Sequence, residues 1–245
     1  MRTALVLACL IAMSAARTAQ GQNPERLRAT IDLGIQLNSQ VVRQGFTATL
    51  NQEAASIAHE IDVSGGRVVD AGAAYRLAGP LWAVVAVSAL FRTTEGTLSA
   101  EVPHPFYFQQ PRLVEGTVKG LQSSEKAVHV SVAYRRPVAD RLDVAIFGGP
   151  SRFSLSQDLV TDITHEETYP FDTATFASAS TARASGSAWG FNVGADVTWR
   201  LSRMFGVGGL IRFTKASAAL RTGVGNDVSL DVGGPGASGG LRMIF

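Results

Sequence analysis

LRATIDLGIQLN, residues 27–38, decides the fold. Leu27, Ala29, Ile31, Leu33, Ile35 and Leu37 fall on one side of an extended chain. Arg28, Thr30, Asp32, Gly34, Gln36 and Asn38 fall on the other. Twelve residues of unbroken period two predict a β-strand, because a helix would repeat its apolar positions every three to four residues.

The same alternation recurs along the chain. In the second segment Val69, Ala71, Ala73, Tyr75 and Leu77 oppose Asp70, Gly72, Ala74 and Arg76. An Ala78-Gly79-Pro80 turn follows. The third segment, LWAVVAVSALFR from Leu81, is apolar on both faces until Ser88 and Arg92, so its facing stays open. In the fourth, VHVSVAYR, Val128, Val130, Val132 and Tyr134 oppose His129, Ser131, Ala133 and Arg135. The fifth runs from Leu142 to about Phe153. The sixth, WGFNVGADVTWRL, sets Trp189, Phe191, Val193, Ala195, Val197, Trp199 and Leu201 against Gly190, Asn192, Gly194, Asp196, Thr198 and Arg200. The seventh runs from Phe205 to about Lys215. The eighth is the ending GGLRMIF, where Leu241, Met243 and Phe245 share one face.

Composition narrows the class. Of 245 residues 46% are hydrophobic and only 17% charged, against about 25% charged in a typical soluble domain. Beyond the first twenty residues no run approaches the ~18 apolar residues of a membrane helix. The N-terminal MRTALVLACLIAMSAARTAQGQ has a basic start at Arg2 and an apolar stretch from Ala4 to Ala16. This predicts a secretory signal peptide over residues 1–21, ahead of a single domain at 22–245. Its removal takes two of the 22 basic residues and no acid, leaving 20 basic against 20 acidic side chains. That balance gives no argument for nucleic acid. Cys9, the single cysteine, leaves with it, so no disulfide or thiol chemistry is expected.

The connections alternate short and long. After segments two, four and six they are tight turns. After one, three, five and seven they span roughly 28, 34, 32 and 12 residues. Such lengths suit a barrel crossing an outer membrane, with short periplasmic turns and long external loops. The stretch 39–66 is expected to hold a protruding hairpin, with GFTATLN as one arm, that lengthens the wall.

The ending SGGLRMIF supplies a further pointer. Ser238, Gly240, Met243 and Phe245 occupy the positions of the polar, glycine, apolar and terminal aromatic residues that bacterial outer-membrane barrels present to their insertion machinery. With the alternating strands, the chain resembles the small eight-stranded OmpA/OmpX-like barrels of Gram-negative bacteria. The resemblance implies an all-β, antiparallel, up-and-down transmembrane β-barrel of eight strands, in the cell outer membrane and monomeric. Its partners would be outer-membrane lipid, the barrel-insertion machinery and an extracellular partner met through the loops. No catalytic, cofactor or metal residues carry over, and no separate peptidoglycan-binding domain is expected.

The facing assigns Arg28, Asp32, Asp70, Arg76, Arg135, Asp143, Asp196, Arg200, Arg212 and Arg242 to a lumen charge network, since unpaired charges there would be costly. Tyr75, Tyr134, Trp199 and Phe205 form an aromatic girdle near the short turns. His129 and Ser131 are spaced like the His/Ser pair of an outer-membrane lipid A deacylase, but no acid is singled out to complete a triad. His165 beside Glu166 and Glu167 lacks the further ligands of a metal site. Phe106, Tyr107 and Phe108 lie in a proline-bounded loop, where they either bind a partner or cover the barrel mouth. The function expected is non-enzymatic, structural or surface-interacting. A porin-like channel for ions or small solutes and a soluble periplasmic ligand-binding barrel are the alternatives.

Overall fold

The computed structural model describes residues 25–220 and 228–245; the expected signal peptide, Cys9 included, lies outside them. Ten antiparallel strands follow one another without a helix among the described residues: β1 (Leu27–Gln36), β2 (Gln40–Leu50), β3 (Glu53–Val63), β4 (Gly66–Ala78), β5 (Leu81–Pro103), β6 (Pro111–Ala139), β7 (Leu142–Glu167), β8 (Ala174–Arg200), β9 (Phe205–Leu220) and β10 (Val228–Ile244). Eight of them close a ring, β1-β4-β5-β6-β7-β8-β9-β10 and back to β1. The closing pair runs from Arg28 opposite Ile244 to Gln36 opposite Gly236. Backbone bonds finish it, with Arg26 N–H donating to the Phe245 carbonyl at 2.9 Å and Phe245 N–H to the Leu27 carbonyl at 2.8 Å. β1 therefore has no free edge, and neither does the end of the chain from Gly236 to Ile244.

The other two strands form the protruding hairpin. β2 and β3 turn at Asn51 and Gln52, both left-handed. β3 then continues the wall by pairing with β5 from Ile61–Gly96 to Ser56–Glu101, above the point where β4 ends. The long outer connections are present, but most of their residues are themselves strand. The acidic stretch 154–167, expected in a loop, lies in β7, and the Ser/Ala-rich stretch 174–187 is the outer half of β8. The true outer turns are short, residues 104–110 and 168–173.

At the short-turn end the barrel is inside out. In β1 Leu33 is 67% exposed while its neighbour Asp32 is 1% exposed. β5, whose facing the sequence leaves open, turns Leu81, Val85, Val87 and Phe91 outward and Trp82, Ala86 and Leu90 inward. The outward belt has aromatics at both edges. Trp189 and Trp199 share a face of β8 ten residues apart, so about 33 Å along the strand. At the usual 35–45° tilt this is a height of about 25 Å, that of a membrane barrel's apolar band.

Above the belt the pattern reverses. Leu121, Phe153, Leu155, Leu159, Leu220 and Leu230 point inward and pack into one apolar cluster, with Val42 and Ile61 of the hairpin. Phe46, Ile57, Leu98, Val102, Val114 and Ile163 form a second. Register shifts at Thr94/Gly96 and Val160/Asp162 help preserve the inward apolar face as the strands lengthen. Gly120, at φ +79°, supplies the left-handed residue for the first of them.

Candidate functional site

The lower lumen holds a layered set of ion pairs. Arg242, 1% exposed, donates from Nη1 to Asp32 Oδ1 at 2.6 Å and from Nη2 to Asp196 Oδ2 at 2.8 Å. Arg135 donates from Nη2 to the other Asp196 oxygen at 3.1 Å. Asp143 takes Arg28 Nη2 at 2.6 Å and Arg200 Nη2 at 2.9 Å. Arg28 also pairs with Glu25, a partner the facing argument did not include. Higher up, Arg212 pairs with Asp70. Trp82 lies under both Arg28 and Arg135, 5.5 and 5.9 Å from ring centroid to guanidinium carbon. Five arginines thus face four aspartates and Glu25.

Arg76 departs from its expected place in this set. It is only partly buried and donates from Nε to the Gly79 carbonyl at 2.8 Å. It sits two residues before the end of β4, where a turn carbonyl and water are nearer than any lumen carboxylate. The girdle residues Tyr75, Tyr134, Trp199 and Phe205 all point outward beside the short turns. Phe91, Trp189 and Phe213 edge the belt at its other end. Their signal was present in the alternation, but only the barrel's tilt sets them at a common height. Of the terminal residues, Met243 and Phe245 are half-buried, and Ser238 and Gly240 line the inner face beside Gly34 and Asp32.

His129 and Ser131 share a face but do not meet. His129 Nδ1 lies 2.7 Å from Ser151 Oγ, and its Nε2 lies 3.0 Å from Ser88 Oγ. Ser131 instead donates to Asn192 Oδ1 at 2.9 Å, and Asn192 donates on to Ser151 at 2.9 Å. Among the described residues both imidazole nitrogens meet serine hydroxyls, and neither meets the carboxylate that would orient a triad base. The two lumen cavities beside it measure about 40 and 50 Å³, room for water and not for an acyl chain.

The outer end carries an aromatic crown. Phe106, Tyr107 and Phe108 project from the β5–β6 turn and are exposed, as is Tyr169 of the β7–β8 turn at 82%. Phe171 joins the two turns, with ring centroids 5.5 Å from Phe106 and 6.0 Å from Tyr169. Beneath them Arg112 clamps the tip, donating to Glu167 Oε2 at 2.6 Å and to the Pro103 and Phe171 carbonyls at 2.9 Å. His104 Nδ1 accepts the backbone N–H of Phe106 and Tyr107. His165 Nε2 lies 3.8 Å from the same Glu167 carboxylate that Arg112 occupies.

No protein-family model matches the chain, and no curated protein matches it. Among solved structures it is similar to the outer membrane protein OprG from Pseudomonas aeruginosa, at 8% identity over 92% of this chain and 98% of that one, with a TM-score of 0.48. It is also similar to the outer membrane protease OmpT from Escherichia coli, at 9% identity over 93% and 99%, TM-score 0.49. Neisserial surface protein A is 13% identical over 89% and 97%, TM-score 0.42. These likenesses carry nothing about activity, and the fold rests on the chain's own strand pairing. A closed eight-stranded ring, apolar outside and charge-paired within at its short-turn end, is a small up-and-down β-barrel of the outer-membrane type, and the cell outer membrane is where that exterior belongs.

Proposed function

We propose that this protein is a monomeric, non-enzymatic barrel that conducts no solute and serves as a stiff stalk, carrying an aromatic tip away from the outer membrane for surface interaction. The observation that carries the reading is the double closure of the lumen. Paired charges fill it at membrane height, and an apolar core fills it above. An ion would have to break the first and cross the second unsolvated. From Phe91 to Pro103 β5 climbs twelve residues past the belt, which lifts the tip by about 30 Å at the same tilt. In this reading residues 1–21 are the export signal, and Ser238, Gly240, Met243 and Phe245 address the insertion machinery. Tyr75, Tyr134, Trp199 and Phe205 seat the lower rim in the headgroups.

Two measurements test it. The purified barrel in planar bilayers should give no stable conductance; a steady open level would make it a channel. Cells producing the protein should adhere to polystyrene more than cells producing a Phe106→Ser, Tyr107→Ser, Phe108→Ser variant. Equal adhesion at equal surface amounts would remove the tip from the function.

A further inference from the structure

We propose that a groove on the outer wall, at the upper edge of the apolar belt, holds the phosphate-bearing headgroup of an outer-leaflet glycolipid. The inference rests on the membrane-barrel reading above. The groove has a volume of about 690 Å³, within the range of small-molecule sites. It arises where β5 changes partners. β4 pairs with β5 as far as Phe91, and β3 takes over only from Gly96. Residues 92–95 are left without a neighbour on that edge.

The groove's walls carry cations at a height where a phosphorylated surface would begin. Arg67 of β4, Lys126 of β6 and Arg183 of β8 line it and are exposed, with Ser124 and Ser156 between them as hydrogen-bonding groups. Asp158 is engaged with Arg183, 2.9 Å from its Nε. Gln122 takes the same guanidinium at 3.1 Å, so Arg183 is held in position. The cationic character continues around the barrel. Arg152 lies over Trp189 at 5.2 Å, and Lys215 directly follows the belt residue Phe213 on the outward face of β9.

Two features select a lipid over a free anion. The groove's floor is Phe91, an outward aromatic continuous with Val87 below it, so an acyl chain and its headgroup meet one surface. Of the acids on the outward face of β5 and β6, Glu95 closes the upper end of the 92–95 gap, four residues beyond Phe91, and Glu101 and Glu115 stand higher still. Arginine forks and lysine point charges side by side suit phosphate oxygens. Each basic side chain near an anionic lipid surface contributes enough that losing three should weaken binding by about 100-fold.

The test uses the full barrel in detergent micelles, followed by native mass spectrometry. Three probes are compared: diphosphorylated lipid A, the same lipid with both phosphates removed, and inorganic phosphate. The diphosphorylated lipid should bind. The dephosphorylated lipid should bind at least 10-fold more weakly, and phosphate alone should not bind. An Arg67→Gln, Lys126→Gln, Arg183→Gln variant should lose about 100-fold in affinity while keeping its heat-modifiable band, whereas Lys119→Gln should bind as the parent does. Equal affinity for the two lipids, unchanged affinity of the triple variant, or phosphate binding as tightly as lipid would each overturn the proposal. Loss of the heat-modifiable band in the parent protein would instead strike at the barrel reading.

Discussion

Strand β9 sets the two halves of the molecule end to end. Its outward residues run Phe205, Val207, Gly209, Ile211, Phe213, then Lys215, Ser217, Ala219; its inward residues run Gly206, Gly208, Leu210, Arg212, Thr214, then Ala216, Ala218, Leu220. One pleat and one register serve both halves, with opposite chemistry on each face. In the membrane half lipid receives the apolar side chains, and polar ones must satisfy one another inside. In the outer half water receives the polar side chains, and the apolar ones make an ordinary core. The comparison teaches that barrel closure and barrel solvent are separate problems, solved by the same strand at different heights.

Breaking the lower half should cost most. Arg242→Leu removes the arginine partner of Asp32 and one of the two arginine partners of Asp196, both buried. Stranding a buried charge costs about 3–5 kcal/mol. Urea unfolding in detergent, read by the gel shift between folded and unfolded bands, should show a loss of that size. Unchanged stability would mean that the lumen is wet enough to solvate lone carboxylates.

A paired substitution sharpens the contrast along β8. Val193 and Thr181 are both exposed. Val193→Arg should cost about 2–4 kcal/mol, as a charge does near a bilayer midplane. Thr181→Arg should stay within about 0.5 kcal/mol, as on a watered surface. Equal costs in lipid vesicles would erase the boundary between the halves.

How legible this was differs between the halves. The membrane half was readable because its two faces contrast strongly, Leu and Ile against Asp and Arg in 27–38. The eight-stranded ring, the hairpin within 39–66 and the inward arginines followed from that. The outer half was obscured for two reasons. In 174–187 the alternation is largely Ala against Ser, a contrast too weak to separate strand from loop. Around 118–121 and 160–162 the register shifts break period two, so the pattern loses phase where the strands continue. The pairing of particular charges was out of reach as well. Arg242 meets Asp32 from 210 residues away and Asp196 from 46, and strand tilt decides which carboxylates share its height.

The smallest expected effect concerns pH and the outer half alone. His59 of β3 is buried in that half, and neither ring nitrogen has a hydrogen-bond partner among the described residues. Burial pushes its pKa below the usual 6.5. The unfolded hairpin therefore binds the proton more readily than the folded one. Stability is full above the unfolded value and drains away as pH falls below about 6.5. Amide hydrogen exchange in β2 and β3 should quicken between pH 7 and pH 5 while β1 and β10 hold, and His59→Phe should flatten the response. Exchange rising equally in all four strands, after correction for the intrinsic pH dependence, would disconnect it from His59.

The reversal of faces is tested most directly by depth. Single cysteines at the outward positions 207, 211, 213, 215, 217 and 219 of β9, in a barrel without Cys9, would carry spin labels in lipid vesicles. Collision with oxygen and with a water-soluble relaxation agent reports lipid or water at each label. The labels at 207, 211 and 213 should favour oxygen, and those at 215, 217 and 219 should favour the aqueous agent. Oxygen preference persisting through 219, or aqueous contact already at 211, would contradict a barrel that changes solvent between Phe213 and Lys215.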